Sequence, residues 1–133
     1  MAFVEPVELS MRGIRLLPLD LSHEASLAAA AADGELWNIR VTSVPEPGQT
    51  RKYIEDALKM RADGNRFAFA VTDEATGTVW GSTSFHDILP AVKRVEIGYT
   101  WYAKRCQRTH VNTTCKLLMM SHAFDTLGCL VVG

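Results

Sequence analysis

Between Arg94 and Val132 the chain reads as a strand, a short basic loop, a helix and a second strand. That order leaves little freedom. Neighbouring strands joined through a helix run parallel, by a right-handed crossover. Arg94 to Tyr102 (RVEIGYTWY) is rich in β-branched and aromatic residues, with Val95, Ile97, Tyr99 and Trp101 at period two. On that alternation Glu96 shares a face with Arg94, Gly98, Thr100 and Tyr102. Val111 to Leu127 carries two apolar stripes. One holds Leu117, Met120, Phe124 and Leu127, the other Val111, Cys115, Leu118 and Met119, which predicts a helix covered on two sides. Gly128 stops it, and Cys129 to Val132 predicts a short buried strand beside Arg94 to Tyr102.

Upstream the signals are those of an antiparallel meander. Arg66 to Thr72 alternates Phe67, Phe69 and Val71 with Ala68 and Ala70. Thr78 to His86 is the next strand, and the short links Asp73 to Gly77 and Asp87 to Lys93 favour antiparallel neighbours. Val7 to Pro18 reads as a strand pair or a bent strand, broken near Arg12-Gly13. Asp20 or Ser22 can cap a helix over His23 to Ala32, which Asp33-Gly34 ends. Glu35 to Gly48 is irregular, with Trp37 as its large apolar anchor. Gln49 to Ala62 predicts an amphipathic helix burying Tyr53, Ile54, Ala57 and Leu58, with Arg61 at the edge and a Glu55–Lys59 pair outside. The order is β-α-α-β-β-β-α-β, an α/β (α+β) fold with one mixed sheet, helices on its faces and a single domain over residues 1–133. The switch from antiparallel to parallel pairing is where a ligand site is expected.

Composition narrows the function. With 133 residues and a net charge of −1, no global basic field points to nucleic acid. No apolar run is long enough for a membrane span, and the first ten residues hold Glu5 and Glu8 rather than a basic, apolar leader. Three cysteines without a C-x-x-C, and four histidines without ligand spacing, argue against a disulfide framework and a metal site. A reduced, metal-free, cytoplasmic protein is expected.

The loop Lys104 to Asn112 is basic at Lys104, Arg105 and Arg108 and runs straight into a helix. Unpaired amides at a helix start, with the positive end of its dipole, suit a phosphate. Arg108 to Thr113 can supply such amides, and Arg108 can grip a phosphate bidentately. The other reading is a basic surface loop before a helix capped by Thr109 or Asn112. Glu96 is the candidate general base, since partial burial would raise its pKa. The same residue would equally suit an ion pair with Arg94.

Glu-Ile-Gly-Tyr (96–99), Gln107-Arg108-Thr109-His110-Val111-Asn112 and Lys116 to Phe124 together resemble the GCN5-related N-acetyltransferases. The closest likeness is to the branch similar to ribosomal-protein N-terminal acetyltransferases. The resemblance implies that Gln107, Arg108, Thr109, His110, Val111, Asn112 and Thr113 hold the pyrophosphate of acetyl-CoA. His110 and Asn112 stand where that family's loop usually has small residues. It also implies that the pantetheine arm inserts beside Gly98, a residue that by itself equally reads as the mark of a bulge, with Trp101 and Tyr102 offering backbone groups. Glu96 then takes the proton of an amine acceptor, a peptide N-terminus or a small molecule. His86, Trp37 and Tyr53 fall on the acceptor side in that family.

Two departures accompany the likeness. The family continues with another helix and two more strands, which often hold a Tyr that protonates the departing thiolate, whereas the sequence ends at Gly133. Thr114 stands where relatives often have Glu. The expectation is therefore a truncated domain whose exposed edge strand invites pairing with a second copy, as a homodimer. The alternative is a non-catalytic module that binds CoA or only folds and dimerises.

Overall fold

Arg12 and Gly13 both take positive φ, 51° and 81°, which suits a two-residue hairpin turn. The first stretch therefore folds as two strands, β1 (Leu9–Met11) and β2 (Ile14–Pro18), paired antiparallel. This is seen in a computed structural model, which describes residues 3–38 and 42–133. The Asp20 carboxylate accepts from Ser22 N–H at 2.8 Å and opens a short 3-10 turn leading into α1 (Glu24–Ala32). Next come α2 (Thr50–Ala62), β3 (Arg66–Asp73), β4 (Val79–Leu89), β5 (Arg94–Tyr102), α3 (His110–Ser121) and β6 (Val131–Val132).

The sheet order follows the chain, β1-β2-β3-β4-β5-β6. Every neighbouring pair is antiparallel except β5–β6. The meander, the parallel pair and the mixed α/β architecture thus match the expectation. α2 covers one face of the sheet, where Tyr53 meets Arg66 and Trp101, and α1 packs against α2 and β4. α3 covers the other face, with the Thr83 hydroxyl 3.6 Å from Met119 Sδ. Phe67, Phe69 and Phe85 form the aromatic centre, their rings 5.1 and 6.0 Å apart in sequence. Burying each contributes roughly 1.5–3 kcal/mol.

Four local readings are corrected. The helix after β5 is α-helical only to Ser121, and His122–Thr126 widens into a π turn closed by Leu127 N–H to His122 O at 3.0 Å. Gly128, at φ 71°, then lets Cys129 N–H reach Ala123 O at 2.9 Å. The last strand is two residues long, and its surroundings are not a core: Leu130 and Val131 are exposed while Cys129 is buried. In the irregular stretch Leu36 is the fully buried anchor and Trp37 packs beside it, half-buried. On α2, Glu55 pairs with Arg51 at 3.6 Å rather than with Lys59, because Arg51 sits one turn earlier on the same flank.

Candidate functional site

β5 changes face halfway along. Ser84 stands opposite Gly98, but Ser82 stands opposite Trp101, so three steps on β5 match two on β4. Tyr99 absorbs the extra residue with φ of 50°, the geometry of a β-bulge. Period two fails there. Beyond the bulge Thr100 and Tyr102 join the α3 face, and Trp101 joins the α2 face with Glu96 and Gly98. The single alternation expected for Arg94 to Tyr102 is therefore reversed past Gly98.

The α3 side of the bulge borders a cleft of about 490 Å³. Its strand wall is Ile97 to Thr100 with Tyr102, and its helix wall is Asn112 and Lys116. Gln107, Arg108, Cys106 and Thr42 close the ends. The loop before α3 builds this wall from within. Gln107 N–H donates to Lys104 O at 3.1 Å, and its side-chain amide donates to Tyr102 O at 3.2 Å, fastening the loop to β5. Arg108 takes positive φ, 62°, which turns the chain into the helix. Thr109 is the cap, its hydroxyl accepting from Val111 N–H at 3.3 Å. Among the described residues the amides of Arg108, His110, Asn112 and Thr113 find no loop or cap acceptor. Unpaired amides, Arg108 and Lys116 thus gather at a helix start, an arrangement fit for an anion.

Tyr102 donates its hydroxyl to Asn112 Oδ1 at 3.0 Å, tying strand to helix inside the cleft. Burial, then the neighbouring Cys115, push the Tyr102 phenol far above its ordinary pKa, so it remains a donor. Burial likewise pushes the Cys115 thiol up to about 11 and raises those of Cys106 and Cys129.

On the opposite face Glu96 meets Arg94, whose Nη2 donates to Glu96 Oε1 at 2.9 Å. That contact, then Asp87 and His86, holds the Glu96 carboxyl below its ordinary value. The expectation of a raised pKa is reversed, because Arg94 lies two residues away on the same face. His86 Nε2 is 3.9 Å from Glu96 Oε2, and its Nδ1 is 3.5 Å from Asp87. Ligand atoms of all three lie within 4.8 Å of one another. Histidine spacing along the chain could not reveal this trio, which adjacent strands assemble. Arg94 on Glu96 opposes a cation there. Gly98 accommodates this group: a Cβ would sit 2.3 Å from His86 Nε2, so the imidazole fills the space beside the strand.

The expected site residues therefore divide. Tyr102, Gln107, Arg108 and Asn112 line the cleft. Thr109 caps the helix, and exposed His110 and Thr113 contribute amides. Val111 is buried in the core. The indole of Trp101 points to the other face and donates to Tyr53 at 3.3 Å. Lys116, Ile97, Tyr99 and Thr100 were not singled out. Lys116 was findable, since it follows Asn112 by one helical turn.

The model of the acetyltransferase (GNAT) domain family matches residues 14–132. A GCN5-related N-acetyltransferase from Brucella melitensis superposes with a TM-score of 0.81 at 28% identity, over 95% of this chain and 58% of that one. The ribosomal L7/L12 alpha-N-protein acetyltransferase RimL gives 0.77 at 18%, over 96% and 70%. An acetyl transferase from Salmonella typhimurium that modifies the N-terminal serine of the 50S ribosomal subunit protein L7/L12 gives 0.71 at 20%, over 84% and 64%. The latter two likenesses are of fold. No curated protein matches the chain. The chain spans about 58% of the length of the Brucella relative, and no helix among the described residues is long and apolar enough to cross a membrane.

Proposed function

We propose that this chain, which belongs to the acetyltransferase (GNAT) domain family, moves an acetyl group from acetyl-CoA to a primary amine by direct attack. The amine is a peptide N-terminus or a small molecule. One observation carries the reading: the cleft beside the bulged strand ends on unpaired amides at the start of α3, with Arg108 and Lys116 beside them. An extended thioester arm fits along Ile97 to Thr100, and its diphosphate fits the helix start.

In this reading the amine nitrogen attacks the thioester carbonyl, a C–N bond forms and the C–S bond breaks. The backbone at the bulge, freed from the ladder, faces the developing oxyanion. Glu96 accepts the amine proton through a water, and the departing thiolate takes up a proton. Arg94 keeps Glu96 ionised at neutral pH, at the expense of its basicity. Holding both reactants in one place supplies much of the rate.

That Arg94 clamp also favours a second reading, in which Glu96 is structural and the chain binds acyl-CoA without transfer. Two measurements separate them. CoA at 100 times its Kd should stabilise the protein by about 2.7 kcal/mol, and Arg108→Ala should weaken that shift; no shift at saturating CoA sinks both readings. Thiol release from acetyl-CoA across a panel of amines then tests transfer. An unchanged rate in Glu96→Gln removes Glu96 as the base.

A further inference from the structure

Among the described residues, the α2 face of the sheet holds a charge without a counter-charge. Arg66 is only 3% exposed. Its Nε donates to Ser84 Oγ at 3.0 Å and its Nη2 to Tyr53 Oη at 3.2 Å. Its guanidinium lies 3.9 Å over the Tyr99 ring and 5.4 Å from that of Tyr53. Every one of these partners is neutral. Among the described residues no carboxylate lies within 4.0 Å of it. The remaining five residues, Met1, Ala2, Ile39, Arg40 and Val41, include no acid. A buried cation is costly unless paired, and stacking on aromatic rings offsets only part of that cost.

The guanidinium is also not used up. Of its five N–H donors, one on Nε and one on Nη2 are engaged. Among the described residues both on Nη1 remain, and Nη1 is not among their polar atoms sealed from solvent without a partner. The free Nη1–Nη2 edge has the fork geometry that takes an oxyanion bidentately.

Register fixes what stands opposite. Arg66 pairs with His86, and His86 with Glu96, so the three form one row across β3, β4 and β5. The next row is Ala68, Ser84 and Gly98, small residues over which Arg66 and His86 fold. Arg66 and His86 both touch the Tyr99 ring, at 3.9 and 5.2 Å, within reach of the two ends of one small molecule. One end of this face is cationic, and the other carries the Glu96 carboxylate.

Resting on the acetyltransferase reading, we propose that this face is the acceptor subsite for an amine that also carries a carboxylate. Arg66 takes the carboxylate through its free edge. The amine lies toward His86 and Glu96, beside the bulge that the donor cleft shares at Gly98 and Tyr99. Arg66 is then the residue that selects amino acids or acidic peptide ends over plain amines.

The test uses a product pair that needs no turnover: N-acetyl-γ-aminobutyrate and N-butylacetamide, titrated calorimetrically. Wild type should bind the carboxylated member at least about tenfold tighter, as expected for a charge-assisted bidentate contact. Arg66→Met should bind both alike, and Arg66→Lys should keep part of the preference. Equal affinities in wild type overturn the proposal, as does no heat from either compound at millimolar concentration, or a preference that survives in Arg66→Met. If Arg66→Met does not fold, wild type and Arg66→Lys decide, full preference in the latter counting against the fork. CoA titrated into the same samples keeps the readings apart: its failure to bind removes the transferase but leaves the product pair to decide the subsite.

Discussion

The two halves of β5 are held in different ways. The half beyond Tyr99 is braced by backbone. Gly81 lies so close that a Cβ there would meet Trp101 O at 2.1 Å and Tyr102 Cα at 2.9 Å, and Ala103 N–H donates to Trp80 O at 2.6 Å. The half before Tyr99 is braced by side chains, with His86 folded over Gly98 and Arg94 clamping Glu96. Backbone yields little, while side chains can swing and titrate. The half that brings Thr100 and Tyr102 to the cleft is therefore rigid, and the half that carries Glu96 and Gly98 beside His86 is adjustable.

Gly81→Ala should break this comparison most violently if it holds. The clash is with main chain, so β4 and β5 must part, at about 3 kcal/mol or more. Thermal unfolding should fall by roughly 10 °C, or the protein should fail to fold. Gly98→Ala introduces the same methyl against an imidazole that can rotate away. Its cost should be nearer 1–2 kcal/mol, with CoA binding retained. Equal losses in the two variants would erase the distinction between the halves.

Tyr102→Phe sharpens the picture on the rigid side. It removes the hydroxyl held by Asn112 Oδ1, and Asn112 is exposed enough to find water instead. A loss of about 0.5–1.5 kcal/mol in urea denaturation is expected, with a weaker CoA shift because strand and helix are no longer tied across the cleft.

Glu96→Gln should give the smallest effect, and it is pH-dependent. The Glu96 carboxyl is held below its ordinary value by Arg94 first and by Asp87 and His86 next. Its contribution to stability is therefore present above the unfolded carboxylate pKa of about 4.3. It disappears as pH falls through the lower folded value. Wild type and Glu96→Gln should differ at pH 7 and converge once the pH has fallen below the ordinary carboxylate range, when urea midpoints are compared. If Glu96 serves the reaction, Arg94→Met should move the acid limb of the rate profile upward.

The antiparallel meander, the amphipathic α2 and the helix entered from a basic loop were all legible, because each rests on a period or a turn residue. Gln107, Arg108 and Asn112 fell on the cleft for the same reason: a loop at a helix start has little choice of neighbours. What escaped was set by tertiary contact. Gly98 could mark a bulge, but which residue takes the positive φ, and so where the alternation reverses, was not legible; it is Tyr99, one residue on. The Glu96 shift turned on whether Arg94 or burial dominates, which alternation alone leaves open. Arg66 looked like the first residue of a strand, and only the packing of Tyr53 and Tyr99 around it makes it a buried charge.

The three cysteines bear on how this protein can be studied. All are buried, and burial raises each thiol pKa. Thiolate is the form that disulfide reagents and alkylators attack. The protein's own sulfur should therefore stay dark while the thiol of released CoA reacts at once. Cys106 is the informative exception, because it borders the cleft beside the bulge. Slow labelling at that one position, protected by CoA, would turn it into a native gauge of whether the cleft is filled.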